Sequence, residues 1–310
     1  MSHILVTGAN GFVGKPFCGE LLSNGYSVRA VTRTVNQSAI ASEAVVVGNM
    51  DASTDWSDAL TNIDVVVHLA ARVHVMNEHA LDPLAEFRKV NVAGTLNLAN
   101  QAAKMGVRRF VFVSSVKVNG EHTLVNQPFT ADDTPHPQDP YGQSKLEAEQ
   151  GLMLIAQHTD MEVVIVRPPL IYGRGVKANF ASMLKLIRSG WPIPLGAAVH
   201  NRRSFVGIDN LVDFLLVCIA HPAAANQVLM VSDGEDLSTA ELFRRLGVAI
   251  GHPAKLFYMP TSLLTLGASL LGKQAMTERL LGNLQVDITK NKQLLGWQPP
   301  ITVNEGFRRI

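Results

Sequence analysis

The stretch that decides the fold is Thr7-Gly-Ala-Asn-Gly-Phe-Val-Gly14, which directly follows the apolar run Ile4–Thr7. Glycines at 8, 11 and 14 allow the backbone to approach a pyrophosphate held by the N–H groups that open the next helix. A strand, a glycine loop and a helix in this order are typical of a dinucleotide-binding unit. The predicted cofactor contacts in this loop are Gly8, Asn10, Gly11, Phe12, Val13 and Gly14.

Short β-branched runs alternate with helical patterns through the first half of the chain. The predicted strands are Ile4–Thr7, Val28–Thr32, Ala44–Val47, Val65–Ala70, Phe110–Ser114 and Val163–Arg167. Their continuous apolar character is typical of parallel strands that are covered on both faces. The sequence therefore predicts an α/β fold, a Rossmann-type doubly wound parallel sheet. Pro83–Met105 is predicted to be one long helix, capped by Asp82 and ended by Gly106.

The pattern loosens after Arg167 and returns to a helix at Asp209–Ala220 and a strand at Val228–Val231. Ser238 begins a capping box that opens a further helix. We therefore expect a smaller C-terminal substrate-binding lobe inserted around the end of the sheet. The predicted division is 1–167 plus 204–231 for the dinucleotide-binding Rossmann domain, and 168–203 plus 232–310 for the substrate-binding lobe.

Composition excludes several classes of partner. The 310 residues carry a formal charge of +1 with no basic stripe, which argues against nucleic acid. Cys18 and Cys218 form no Cys-x-x-Cys pair, and the N-terminus runs straight into a strand, so we expect a cytoplasmic protein. The apolar stretch Ser262–Gly272 falls short of the ~20 residues that span a bilayer. We expect a buried or lid helix there rather than contact with a membrane surface, and no integral membrane segment or metal site.

Tyr141 and Lys145 form a Tyr-x-x-x-Lys unit at a predicted helix start, where Asp139 is the N-cap and Pro140 lies in the first turn. The two side chains then stand one turn apart on one helix face. A free tyrosine has a pKa near 10, so a neighbouring cation is needed for it to exchange a proton at neutral pH. With the glycine loop, this unit predicts transfer of hydride and a proton between a nicotinamide cofactor and an alcohol or ketone.

The end of the second predicted strand decides between NAD and NADP. No Asp or Glu lies between Glu20 and Glu43, and Thr32 and Arg33 stand where a carboxylate would accept the ribose hydroxyls of NAD. An arginine there can pair with a 2′-phosphate, which favours NADP, with NAD as the alternative. Arg33 could equally be a solvated strand end. His68, at the end of the fourth strand, either lines the cofactor or is a core histidine without chemistry.

The chain as a whole resembles the extended branch of the short-chain dehydrogenase/reductase superfamily, the nucleotide-sugar epimerases, dehydratases and reductases. The resemblance covers nearly all 310 residues. It rests on Thr7–Gly14, His68-Leu-Ala-Ala71, Asn91-Val-x-Gly94-Thr95, the Ser-Ser pair before Gly120, Tyr-x-x-x-Lys, Arg167-Pro168 and the Leu-Gly-Trp-x-Pro tail.

The resemblance implies roles for individual residues. It makes Tyr141 the proton donor or acceptor, Lys145 its pKa depressor and ribose ligand, and Ser115 the partner of the substrate oxygen, with Ser114 as the fallback. Further cofactor contacts are expected at Asn49, Met50, Leu69, Ala70, Ala71, Asn91 and Pro168. Candidate substrate contacts are Ser115, Asn179, Arg203 and Arg279. The two arginines would hold a diphosphate, although each could instead be an ordinary surface arginine because the surrounding family motifs match only in part.

The activity expected from the resemblance is chemistry at C4 of a nucleotide-diphosphate sugar. A UDP-4-keto-sugar reductase in surface polysaccharide biosynthesis is the leading prediction, because NADP favours reduction, and a UDP-hexose or N-acetylhexosamine 4-epimerase using the same residues is the alternative. A reductase of a small hydrophobic ketone remains open if Arg203 faces solvent. A dehydratase is disfavoured because Val116 and Lys117 replace the required acid and base, and a silent dinucleotide sensor is disfavoured by the intact Ser115 and Tyr141. The family also implies a homodimer built on helices 83–105 and 140–158.

Overall fold

Seven parallel strands form the central sheet in the order β3-β2-β1-β4-β5-β6-β9. The structure, a computed structural model, describes residues 2–34, 41–73, 82–176, 178–270, 272 and 274–310, except for the side chains at 178–179 and 274–276. The strands are β1 (His3–Thr7), β2 (Ser27–Thr32), β3 (Glu43–Val46), β4 (Val65–His68), β5 (Arg109–Val113), β6 (Glu162–Arg167) and β9 (Gln227–Met230). The predicted doubly wound α/β fold is confirmed.

Two further strands and the helices complete the chain. Strands β7 (Leu170–Tyr172) and β8 (Phe205–Gly207) pair in parallel as a separate two-stranded sheet. The helices before β7 are α1 (Gly14–Ser23), α2 (Ser57–Leu60), α3 (Pro83–Phe87), α4 (Thr95–Lys104) and α5 (Pro140–His158). Those after it are α6 (Ala178–Arg188), α7 (Ile208–Ala220), α8 (Thr239–Ala249), α9 (Thr261–Leu270), α10 (Gln274–Leu281), α11 (Thr289–Leu295) and α12 (Val303–Arg308).

Helices cover both faces of the seven-stranded sheet, which explains the uninterrupted apolar strands. On one face Phe17 of α1 and Phe214 of α7 pack in one buried cluster with β1 and β4. On the other face Leu98 of α4 and Leu152 of α5 pack with the alternate strand residues. The strand order reverses between β1 and β4, so the carboxyl ends of these strands frame the crevice where this class of fold binds its ligands.

A second apolar core lies in the C-terminal part of the chain. It is built around Phe180 of α6, Phe243 of α8 and Phe307 of α12, with the buried Tyr172 of β7. Tyr172 donates a hydrogen bond to Asp233 at 2.7 Å, and burial raises the pKa of that carboxyl. This core lies in the predicted substrate-binding lobe, and the proposed division of the chain into two domains stays a prediction.

The long helix predicted over 83–105 differs from the observed one in its middle. Asp82 caps it as expected, accepting a hydrogen bond from Ala85 N at 3.0 Å, but residues Arg88–Gly94 form a π-helix before α4 begins. Its last residue, Gly94, lies against the Met50 carbonyl, which an added Cβ would approach to 3.0 Å. A π-helical turn inside an α-helix is frequently found at functional sites.

The apolar stretch that was expected to form a buried or lid helix is largely exposed. Helix α9 contains no buried residue, and Leu263, Leu266 and Leu270 are 57%, 58% and 81% exposed. The expectation of burial was wrong because apolar composition alone does not tell which helix faces meet a core. Within the described ranges, no helix is both long and apolar enough to cross a membrane.

Candidate active site

The glycine loop after β1 has the shape that a dinucleotide requires. Gly8 has φ of +67°, and a Cβ there would come within 2.9 Å of Ala70 N. A Cβ on Gly14 would come within 2.2 Å of Gly8 O, so this glycine permits the tight turn from strand to helix. No side chain caps the start of α1, although Lys15 N already donates to Gly11 O at 3.2 Å in this turn. The buried Oδ1 of Asn10 has no hydrogen-bond partner among the described residues. The loop therefore fits a pyrophosphate.

The end of β4 forms the next wall of the crevice. Leu69, Ala70 and Ala71 follow the strand directly, and Ala70 N donates to Thr7 Oγ1 at 3.2 Å. His68 is fully buried, and its ring nitrogens lie 2.7 Å from Thr7 Oγ1 and 2.9 Å from Thr95 Oγ1. Burial, aided by the Lys145 charge, lowers the pKa of His68 to about 3. His68 therefore corresponds to the neutral core histidine, the second of the two readings that the sequence allowed.

Residues at the ends of β2 and β3 lie where the adenosine half of a dinucleotide would extend. Thr32 is buried and donates to Thr34 O at 3.0 Å, whereas Arg33 is exposed. Asn49 is also exposed, and its carbonyl accepts a hydrogen bond from Thr54 Oγ1 at 2.9 Å. Met50 is partly buried against the sheet. Arg33 is thus positioned to meet either solvent or a ligand.

The helix that carries Tyr141 begins where the sequence predicts. Asp139 Oδ1 accepts a hydrogen bond from Gly142 N at 2.6 Å, and Pro140 occupies the first turn. The Tyr141 ring packs edge-on against Phe87 of α3, with ring centroids 6.0 Å apart. Capping and this ring contact fix the direction of the phenol.

Burial shifts the pKa values of both Lys145 and Tyr141. Lys145 Nζ donates to Val113 O at 2.8 Å and lies 4.1 Å from the centroid of the Phe112 ring. Burial lowers the pKa of Lys145 to about 7, which weakens its positive charge. Burial, aided by the Asp139 carboxylate, raises the pKa of Tyr141 to about 12. The phenol is therefore protonated at neutral pH.

The segment after β5 lies against the start of α5, which brings Ser115 towards Tyr141. The Lys117 carbonyl approaches so closely that a Cβ on Gly142 would stand 2.7 Å away from it. Ser115 Oγ accepts a hydrogen bond from Lys117 N at 3.2 Å and caps a short 3₁₀ turn over Val116–Val118. Ser114 Oγ is buried and has no partner among the described residues. Pro168 O accepts from Val116 N at 3.0 Å, so the end of β6 holds the same segment.

Asn91 ties the π-helix to the helix of Tyr141. Its Oδ1 accepts from Arg72 N at 2.8 Å, while its Nδ2 lies 3.0 Å from both Arg72 O and Ser144 Oγ. Ser144 Oγ in turn donates to Tyr141 O at 2.8 Å. The amide of Asn91 is thus engaged by the protein, in a geometry that positions α5 beside the segment after β4.

Arg203 and Arg279 both lie near the carboxylate of Glu121, at the side of the site. Arg203 Nη1 donates to Gly282 O at 3.2 Å, and Arg279 Nε lies 4.0 Å from Glu121 Oε2. Burial lowers the pKa of Arg203 to about 10, opposed by the Glu121 charge and aided by that of Arg279. The structure therefore brings together the two arginines that the sequence named as diphosphate ligands. The side chain of Asn179, the other candidate, lies outside the described residues.

A chain of charges links these arginines to the start of α5. Lys117 Nζ donates to Glu121 Oε1 at 2.8 Å and also to Asp139 Oδ2. Asp139 is the residue that caps α5 and raises the pKa of Tyr141. Sequence analysis noted Lys117 only for what it replaces, and it missed Glu121 and Gly142. The capping pattern at Asp139 was the sequence feature that could have pointed to this side of the site. No cluster of metal-ligating side chains occurs within the described residues.

Comparisons with known proteins agree with this arrangement. Residues 4–231 match the NAD dependent epimerase/dehydratase family. The chain is 50% identical over 310 residues to a UDP-glucose 4-epimerase of Vibrio cholerae, and the alignment covers 99% of this chain and 93% of that protein. It is 28% identical over 326 residues to the N-acetyl-α-D-glucosaminyl-diphospho-ditrans,octacis-undecaprenol 4-epimerase of Escherichia coli O157:H7, covering 99% and 93% respectively.

A solved structure shows the same architecture. MoeE5 in complex with UDP-glucuronic acid and NAD aligns with a TM-score of 0.78 at 25% sequence identity, covering 99% of this chain and 97% of that one. The likeness therefore extends through the sheet and the C-terminal part together.

Proposed function

The chain belongs to the NAD dependent epimerase/dehydratase family, and we propose that it is a UDP-hexose 4-epimerase that uses NAD. The observation that carries this proposal is that the segment containing Ser115 packs against the start of the Tyr141 helix, beside a glycine loop shaped for a dinucleotide. Gly142 of that helix lies against the Lys117 carbonyl, and Lys145 donates a hydrogen bond to the Val113 carbonyl. The likeness to the Vibrio cholerae enzyme, at 50% identity over almost the whole chain, favours epimerisation over the reduction expected from the sequence.

The proposed chemistry assigns one task to each residue. Tyr141 accepts the proton of the C4 hydroxyl and later returns it, while Ser115 Oγ holds the same oxygen. When bound along the glycine loop, NAD would supply reversible uptake of the C4 hydride. Inversion at C4 would then require the sugar to present its other face while Tyr141 and Ser115 still contact the C4 oxygen.

Burial and the neighbouring Asp139 charge both raise the pKa of Tyr141. A pKa near 12 suits proton donation, whereas proton acceptance at neutral pH needs positive charge nearby. Lys145 lies one turn away, and Lys117 offsets the charge of the Asp139 carboxylate, which raises this pKa. We infer that both lysines hold the phenol within reach of the pH at which it exchanges its proton.

NAD replaces NADP as the proposed cofactor. The family description names NAD, and MoeE5 was solved with NAD bound, so the comparisons do not support the NADP preference expected from Arg33. An exposed arginine at the end of β2 is compatible with NAD because it can lie in solvent.

A diphosphate is the part of the substrate that the arginines fit. Arg203 and Arg279 offer charge-assisted and bidentate hydrogen bonds to its oxygens. The Vibrio cholerae relative is named for UDP-glucose, whereas the Escherichia coli relative is named for a sugar on undecaprenyl diphosphate. We propose UDP as the carrier because the sequence identity to the Vibrio cholerae relative, 50%, is much higher than the 28% to the Escherichia coli relative.

A 4-keto reductase is the second candidate, and Arg33 is the observation that favours it. No carboxylate follows β2 in the described residues, and an exposed guanidinium there could pair with the 2′-phosphate of NADPH. The predicted place in surface polysaccharide biosynthesis, the cytoplasmic location and the homodimer accompany either candidate as predictions.

Incubating the purified protein with UDP-glucose and no reduced dinucleotide tests the proposal. The expected product is UDP-galactose, formed up to an equilibrium mixture, with Tyr141→Phe as the inactive control. Formation of product only with stoichiometric NADPH and a 4-keto sugar would instead establish the reductase.

A further inference from the structure

The charge of the chain is divided unevenly between its parts. Stretches 163–208 and 242–277 contain no Asp or Glu but 11 of the 27 Lys and Arg residues. The rest of the chain therefore has 16 Lys and Arg against all 26 Asp and Glu residues, a formal charge of −10. The near-neutral total conceals a C-terminal part that is locally cationic.

The same cationic part carries an exposed apolar helix. Leu263, Leu266 and Leu270 of α9 recur at helical spacing and share one face. They are 57%, 58% and 81% exposed, while Leu264 packs against the core of the lobe. The helix therefore exposes three leucine side chains that make no contribution to the core of the lobe.

Exposed aromatic side chains lie on segments that lead to this helix. Trp191 and Tyr258 are 72% and 77% exposed, and Phe257 is 41% exposed. Their segments are joined by hydrogen bonds, Phe257 N to Ile193 O at 3.1 Å and Ile193 N to Lys255 O at 2.9 Å. We define the apolar patch as Trp191, Phe257, Tyr258, Leu263, Leu266 and Leu270.

Basic side chains accompany the apolar patch. Lys185 and Arg188 are exposed on α6, which ends just before Trp191, and Lys255 is exposed beside Phe257. The surrounding stretches contain no acidic residue of their own; Glu278 of α10 lies beside Thr265 of α9, and Arg245 pairs with Glu235 and Glu241.

We propose that the apolar patch docks the lobe on an anionic phospholipid membrane surface. Leucines on one face of a short helix, with exposed tryptophan and tyrosine on the segments that lead to it, suit the boundary between headgroups and acyl chains. Lysines and arginines next to such a face are attracted to anionic lipids. Helix α9 has 10 residues, so it would lie in the plane of the membrane without crossing it.

A second copy of the chain is a poorer occupant of this surface. In a two-fold symmetric dimer the same patch meets itself, which would bring the Lys185, Arg188 and Lys255 side chains of both copies together. An anionic lipid surface complements their charge instead.

Flotation with lipid vesicles tests the proposal on the full chain. Vesicles of phosphatidylcholine alone are compared with vesicles that also contain phosphatidylglycerol. We expect wild type to float only with the anionic vesicles, and less so at high salt. The apolar-patch variant combines Leu263→Gln, Leu266→Gln and Leu270→Gln, since glutamine keeps the helix propensity of leucine. Its partition coefficient should fall by about tenfold or more for each exposed leucine removed.

Matched variants separate charge and general surface effects. Replacing Lys185, Arg188 and Lys255 by Gln should weaken binding about fivefold per charge. Replacing the exposed Lys89, Lys104 and Lys292 by Gln should change binding much less. The same holds for Leu124→Gln with Val248→Gln, since these side chains are 68% and 73% exposed but lie outside the apolar patch.

Several outcomes would overturn the proposal. They are wild type failing to float with anionic vesicles, the apolar-patch variant floating as well as wild type, or both control variants losing binding equally. If the apolar-patch variant loses oligomer mass in solution while vesicle binding is unchanged, the face is an interface between copies. Turnover of a soluble UDP-sugar, which needs no membrane, should be unaltered in this variant, so this test stands apart from the proposed activity.

Discussion

Replacing Lys145 with methionine is expected to stabilise the fold while removing activity. Lys145 is buried at 2% exposure, and burial lowers the pKa of its ammonium from the usual 10.5 to about 7. At pH 7 the folded protein must therefore release protons that the unfolded chain retains. A buried lysine of this kind lowers the free energy of unfolding, and functional residues often have such a cost in stability.

The size of the effect follows from its contacts. A fall in pKa from 10.5 to about 7 corresponds to about 5 kcal/mol, at about 1.4 kcal/mol per pKa unit. Methionine loses the hydrogen bond to Val113 O and the contact with the Phe112 ring, each about 1 kcal/mol. The net gain is about 3 kcal/mol. For 310 residues with ~2.1 cal/mol/K of unfolding entropy per residue, Tm should rise by about 4–5 °C.

The pH dependence of this gain identifies its cause. Because the folded pKa is lowered, the unfolded chain binds more protons between about pH 7 and 10.5, and wild-type stability rises with pH across that window. The methionine variant has no titrating group at this position, so its stability lacks this pH dependence. The gap in the free energy of unfolding should therefore be largest at or below pH 7 and shrink by about 2 kcal/mol by pH 9.

Calorimetry or circular dichroism on dinucleotide-stripped protein measures both quantities, with the exposed Lys104→Met as the control, expected within about 0.5 kcal/mol of wild type. A Lys145→Met variant that is less stable than wild type, or more stable by the same amount at pH 7 and pH 9, would refute the reasoning.

Three further substitutions test the site. Tyr141→Phe should lower kcat by about 10²–10⁴ with dinucleotide affinity retained, because only the transferable proton is lost; steady-state kinetics and dinucleotide titration check this, and more than about a tenth of wild-type turnover would contradict it. Arg203→Ala should weaken UDP binding by about ten- to a hundredfold in calorimetry, while the exposed Arg202→Ala leaves it unchanged; equal effects would contradict a diphosphate contact. Lys117→Met should move the acidic limb of the pH–rate profile, where activity rises as Tyr141 loses its proton, to higher pH because Asp139 is no longer neutralised, and Lys117→Arg should restore it; an unmoved limb would remove Lys117 from the account.

The sheet could be predicted almost residue by residue because its strands are uninterrupted apolar runs. All seven predicted strands of the sheet differ from the observed ones by at most two residues at either end, for example Val65–Ala70 against Val65–His68. That strand ends early because Ala70 N turns to the Thr7 hydroxyl. The π-helix at Arg88–Gly94 has no comparable sequence pattern, since it reflects a local change of backbone register.

The site could be predicted where it is local in sequence and not where tertiary structure assembles it. The cap at Asp139 and the one-turn spacing of Tyr141 and Lys145 follow from helix geometry. The direction of Lys145 Nζ, towards Val113 O, depends on burial that the spacing does not reveal. The meeting of Arg203, Glu121 and Arg279 joins three distant segments, so no spacing could indicate it.

Deuterium at C4 of the sugar provides the most direct test of the central claim. The protein is incubated with UDP-glucose deuterated at C4 in the presence of NAD and without added reduced dinucleotide, and the UDP-galactose formed is analysed by NMR and mass spectrometry. The proposed epimerase returns the same hydride, so deuterium should remain at C4 of the inverted product. Absence of UDP-galactose, or product that has lost its C4 deuterium, would contradict the account.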